Sequence, residues 1–157
     1  MQRRARMVDA LAMTPQRLAE MREIHQVLES IAIRSWAERA DEQALDRLWD
    51  AFARVQRYVA AGADPDLVRH AKDRFFRALF EGAGRTIVPE SLRVVKHHMR
   101  ALRHASLSAP GRPAAMLEEL AAILAAATLR DTESLTAACM AHLDAEFSSG
   151  LEALTAR

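Results

Sequence analysis

Asp64-Pro65-Asp66-Leu67-Val68-Arg69-His70-Ala71-Lys72-Asp73-Arg74-Phe75-Phe76-Arg77-Ala78-Leu79-Phe80-Glu81-Gly82-Ala83-Gly84 is the stretch on which the fold reading turns. Asp64 supplies a short oxygen-bearing side chain for the free amides of a first turn. Pro65 fits the first helical position, where its missing N–H is not needed. Val68, Lys72, Phe75 or Phe76, and Leu79 then recur at spacings of three and four, which places them on one helical face. Gly82 and Gly84 close the helix. One member of that face is out of character. Lys72 stands in line with apolar neighbours, where an ammonium without a partner is costly.

The same punctuation extends in both directions. Thr14-Pro15 starts a first helix whose stripe runs Leu18, Met21, Ile24, Leu28, Ile31 and Ser35. Asp41 caps a second carrying Leu45, Leu48, Trp49, Phe52, Val55 and Val59, and Gly62 ends it. After the quoted stretch, Pro89 opens a fourth helix with Leu92, Val95, Met99 and Leu102. Ser108-Ala109-Pro110-Gly111-Arg112-Pro113 reads as a loop. A fifth helix carries Met116, Leu117, Leu120, Ile123, Leu124 and Ala127. Asp131 caps a sixth with Leu135, Cys139, Leu143, Phe147 and Leu151. No run alternates apolar and polar with β-branched enrichment, so no strand is expected. Stripes of this kind are buried only by packing on one another, which predicts an all-α antiparallel bundle of about six helices. Residues 14–157 form that domain, and residues 1–13, with Arg3, Arg4 and Arg6, read as a basic tail or linker remnant.

Composition narrows the function. A chain of 157 residues with 50% hydrophobic content is long enough for one domain with a true core. Lys and Arg number 22 against 21 Asp and Glu, a net charge of +1, which argues against a dedicated nucleic-acid or membrane-surface binder. The single cysteine, Cys139, excludes an internal disulfide framework and fits a reducing compartment, most simply the cytoplasm. No apolar run approaches the ~20 residues that span a bilayer. None of the serines sits in a Gly-x-Ser-x-Gly elbow, and no Lys or Arg lies one turn from Cys139, so no catalytic residue is assigned.

Three stretches resemble a known family. Glu23-Ile24-His25-Gln26-Val27-Leu28-Glu29, with Ala32 and the later Ala37-Glu38-Arg39-Ala40, resembles the opening helix of the FCD domain. That domain is the C-terminal effector-binding part of GntR-family bacterial transcription regulators of the FadR-like subfamily. Phe75-Phe76-Arg77-Ala78-Leu79-Phe80-Glu81-Gly82-Ala83-Gly84-Arg85 resembles its third helix, which typically reads Phe-His-Arg-Ala-Leu and ends in Gly-Asn. The run from Glu119 through Ile123 and Leu124 to Arg130-Asp131, then Ala138, Met140, Ala141, His142 and Leu143, is similar to its last two helices. The resemblance covers residues 14 to 155 in order.

Family members hold a divalent metal with an Asp and a His one turn apart on the third helix, a His on the fifth and a His on the sixth. The resemblance puts Lys72, Phe76 and Leu120 at the first three places, and only His142 matches. Sliding the third helix by one recovers Asp73 but puts Arg77 where His belongs. A cation, a ring and an aliphatic branch offer no lone pair, so no metal and no other cofactor is expected.

The ligand-binding candidates are His25, Lys72, Phe76, Leu120 and His142. The Lys72 head meets an anionic ligand group or a carboxylate such as Glu29 or Glu119, or else its stem packs and the head snorkels to water. His25 takes the place where the family carries an Arg facing the effector, or is a hydrogen-bonded core histidine. His142 is a remnant ligand or a satisfied polar group. His97, His98 and His104 do not share the spacing of a helical chelate and read with Lys96, Arg100 and Arg103 as a solvated basic face.

The resemblance then implies an effector-sensing, homodimerising domain that binds a small anionic organic acid without metal. Operator DNA is reached only through a winged helix-turn-helix, for which the residues before Thr14 are too few. The rival expectation is a degenerate oligomerisation module with no small-molecule ligand.

Overall fold

A computed structural model describes residues 14–156; the basic segment 1–13 lies outside the described residues. Among the described residues there are helices and no strand. The elements are α1 (Pro15–Ile33), α2 (Trp36–Arg39), α3 (Glu42–Ala60), α4 (Pro65–Gly82), α5 (Ile87–His98), α6 (Arg100–Ser108), α7 (Arg112–Thr128) and α8 (Thr132–Thr155). The all-α bundle expected from the spacing is present, with two refinements. The fourth expected helix breaks at Met99 into α5 and α6, and the single turn α2 follows α1.

Four of the starts are capped as their residue types dictate. Thr14 Oγ1 accepts from the Arg17 amide at 3.2 Å, and Asp41 Oδ1 from the Ala44 amide at 2.7 Å. Asp64 Oδ1 accepts from the Asp66 amide at 2.8 Å and Asp131 Oδ1 from the Ser134 amide at 3.1 Å. Each such cap stabilises its helix by about 1 kcal/mol.

α3 and α4 form a hairpin, α7 and α8 a second, and α6 and α1 close over α8. The α7–α8 pair is antiparallel: Arg112 reaches Ser149 while Glu119 reaches His142. The α1–α8 pair is likewise antiparallel, with Leu18 clustered near Phe147 and Leu151, and with Arg22 and Gln26 on Asp144. The main core gathers Trp36, Leu48, Val68, Phe75, Phe76, Leu79, Phe80, Met116, Leu120, Ile123 and Leu135 from most of the helices. Burial of each large apolar side chain contributes about 1.5–3 kcal/mol.

Three expected core residues face out instead: Ile24, Ile31 and Trp49 are exposed. On α1 the inward face is Leu18, His25, Glu29, Ala32 and Ile33. The stripe is rotated by about one residue from the apolar pattern, because α1 turns two polar groups toward the bundle interior. Gly82 also has a different reason from helix termination. It is helical, and a Cβ there would run into the Trp36 indole, whose Nε1 donates to the Ala127 carbonyl at 2.8 Å. The left-handed turn that ends α4 falls at Gly84, with φ of 72°.

Candidate functional site

Most of the helices send ionisable side chains into one buried cluster. α8 contributes His142 and Glu146, one turn apart on its inner face, and α4 contributes Lys72 and, half-buried, Asp73. α6 adds Arg103, α1 adds His25 and Glu29, α7 adds Arg112 and half-buried Glu119, and α5 lends Lys96 from the edge. So many charges in a core are tolerable only if paired.

The pairing is nearly complete. Lys72 Nζ donates to Glu146 Oε2, and Arg103 Nε donates to Glu146 Oε1 at 2.9 Å. Arg103 also reaches Asp73 Oδ1 at 2.5 Å, and Lys96 reaches the same oxygen at 3.3 Å. His142 lies with Nδ1 2.7 Å from Glu119 Oε2 and Nε2 3.5 Å from Glu146 Oε2. Arg112 holds Glu119 with a bidentate fork at 2.6 and 2.8 Å. His25 Nε2 is 3.0 Å from Glu29 Oε2, while Glu29 Oε1 has no hydrogen-bond partner.

The electrostatics follow from burial and partner. Burial alone would raise the Glu146 carboxyl, but Lys72, Arg103 and His142 outweigh it and hold its pKa well below the usual range. Burial lowers Lys72, and the nearby Glu146 only partly offsets this. Arg103 is pulled down by burial and up by Glu146 and Asp73, and the carboxylates win. Asp73 is raised by burial and lowered further by Lys96 and Arg103, so it stays ionised. Glu119 is likewise raised by burial yet held low by His142 and Arg112. Burial, with Glu29 alongside, pushes the Cys139 thiol well above its ordinary pKa, which leaves it an inert core residue.

All five ligand-binding candidates point inward: His25, Lys72, Phe76, Leu120 and His142 are each at most 4% exposed. Lys72 does not snorkel, and its partner is neither Glu29 nor Glu119 but Glu146. Phe76 stacks on the His142 imidazole, ring centroids 5.4 Å apart and planes 23° from parallel, and Lys96 sits over the other ring at 5.8 Å. Leu120 is packed in the apolar core and does not line the polar gap. That gap, lined by His25, Glu29, Lys72, Phe76, His142 and Glu146 among others, holds about 10 Å³. A single water needs about 10–15 Å³, so the cluster is closed around itself.

The residues that the resemblance puts at the family's metal positions do not fit a divalent cation. Lys72 brings an ion-paired ammonium and Phe76 a stacked ring, Leu120 packs apart in the apolar core, and among the described residues no group of three or more His, Cys, Asp or Glu is arranged to hold a metal.

Two network members escaped the sequence reading. Glu146 follows His142 by one turn, but the apolar spacing of the sixth helix points to Phe147 and Leu151, which are half-buried. Spacing from Cys139 through His142 and Glu146 to buried Gly150 was the available signal. The solvated face expected around His97 includes Arg103, yet Arg103 is 3% exposed, and of that set only His97, His98, Arg100 and His104 lie open. Arg103 lies four residues after buried Met99 and next to buried Leu102, so helical spacing already puts it at the edge of the inner stripe; its charge, not its position, argued for solvent.

Among the described residues no helix is long and apolar enough to cross a membrane. No curated protein matches the chain. The family model of the FCD domain matches residues 20–145, so the chain belongs to the FCD family, the regulatory domain of GntR-type transcription regulators.

Proposed function

We propose that this chain is the signal-receiving domain of a GntR-type regulator that takes a small anionic organic acid without a metal. The observation that carries the reading is the pair of buried cations, Lys72 and Arg103, converging on one carboxylate that the chain itself provides, Glu146. A carboxylate effector has the charge and acceptor geometry of Glu146 and competes with it for the same donors. Lys72 supplies the fixed positive charge that a cation supplies elsewhere in the family, with His25 and His142 as further polar handles and Phe76 as apolar wall.

The residual gap of about 10 Å³ is too small for any acid. Binding therefore draws on a state in which the Glu146 side chain or α8 has moved, and the effector's preference for that state is what shifts the population. Such a domain works as a cytoplasmic homodimer, has no catalytic residue, and acts on operator DNA only through a winged helix-turn-helix outside residues 14–157.

A second reading is favoured by the same small volume: a closed helical module that serves self-association and takes no ligand. A thermal-shift screen of small mono- and dicarboxylates with EDTA present separates the two. On the first reading at least one acid raises Tm; at a hundredfold excess over Kd, linkage supplies about 2.7 kcal/mol, several degrees for a domain of this size. Lys72→Met abolishes that shift. If no acid moves Tm, or if Lys72→Met responds as wild type does, the effector reading fails.

A further inference from the structure

A groove of about 450 Å³ is lined by residues of the α3–α4 hairpin and meets the buried cluster only at Asp73. Arg54 of α3 and Arg74 and Arg77 of α4 line it, all exposed, and none forms an ion pair among the described residues. The one carboxylate on its wall, Asp73, is drawn to Lys96, Arg103 and Arg69 and does not neutralise them. The same groove is lined by exposed Leu67, half-buried Tyr58 and buried Ala71, which add apolar and aromatic surface.

From these we infer that the α3–α4 groove is a second anion site, for a small molecule that joins a phosphate group to an apolar or aromatic body. The volume lies within the range of small-ligand sites. Three guanidinium forks on two adjacent helices suit the three acceptor oxygens of a phosphate better than the two of one carboxylate. Leu67, 51% exposed, and the Tyr58 ring give the body of the molecule something to cover. A net charge of +1 for the chain means that this local surplus is a property of the groove and not of the molecule as a whole.

The test is a calorimetric titration of the full chain at physiological salt, with inorganic pyrophosphate and adenosine monophosphate as probes. Both should bind saturably at one site per chain, and Arg54→Gln with Arg77→Gln should weaken each by about tenfold or more, as lost charge-assisted contacts do. Arg93→Gln with Arg100→Gln, exposed on α5 and α6, should leave both unchanged, and Tyr58→Ala should weaken the nucleotide alone. All four arginines are exposed, so these variants keep the fold. Absence of saturable binding overturns the inference, as does equal loss in the two arginine pairs, which would mark a diffuse charge effect. Tighter binding of a random DNA duplex at the same arginines, with a steep salt dependence, would overturn it in favour of a nucleic-acid face.

Discussion

Lys72 on α4 and Glu146 on α8, 74 residues apart in the chain, meet as a buried ion pair, and Arg103 holds the second oxygen of the same carboxylate. Removing one partner leaves the other charged in the core. Glu146→Gln and Lys72→Met should each lower stability by about 3–5 kcal/mol in urea unfolding. The double variant should cost less than the sum, because neither uncompensated charge remains and Arg103 keeps Asp73. Strict additivity would show that the pair is not coupled.

The same cluster sets the response to acid. Glu146, Glu119 and Asp73 are held below their ordinary values of 4.5, 4.5 and 3.8, so the unfolded chain takes up these protons at higher pH than the folded one. Their contribution to stability is present in full above the unfolded values and is lost as pH falls through that region toward the folded ones. Unfolding free energy measured from pH 7 down to pH 3 should fall steeply below about pH 5. Glu146→Gln should flatten that slope; an unchanged slope would mean that Glu146 does not titrate as its partners dictate.

Gly82 stands against the Trp36 indole with no space for a methyl group, and Ala44 crowds it from α3. Gly82→Ala should destabilise by about 1–3 kcal/mol through overpacking, although alanine is the better helix former. Stabilisation on chemical denaturation would show that α2 and α4 can separate freely.

The Cys139 thiol is buried and its pKa raised by burial and by Glu29. It should resist a maleimide reagent at pH 8 in native protein and react at once when unfolded, as mass spectrometry reads it. Rapid native labelling would place α8 in frequent exchange with an open state.

Helices and caps were legible because each depends on a few adjacent residues. Thr14, Asp41, Asp64 and Asp131 cap where their side chains suggested. Lys72 was legible as an anomaly, since a cation on an apolar stripe demands an account. Its partner was not, because pairing α4 with α8 is a tertiary fact and Glu146 looked like the polar side of a stripe through Phe147. The α1 stripe misled for a related reason. Ile24 and Ile31 have the apolar character, but His25 and Glu29, paired with each other, occupy the inner face of α1 instead.

The most direct measurement is the metal content of purified protein by elemental analysis, paired with Tm before and after exhaustive dialysis against EDTA. The proposed replacement of coordinating side chains by Lys72, Phe76 and Leu120 predicts no stoichiometric divalent metal, an unchanged Tm, and a carboxylate-induced shift that survives the chelator. One zinc or nickel per chain, bound at this cluster and lowering Tm when stripped, would contradict it.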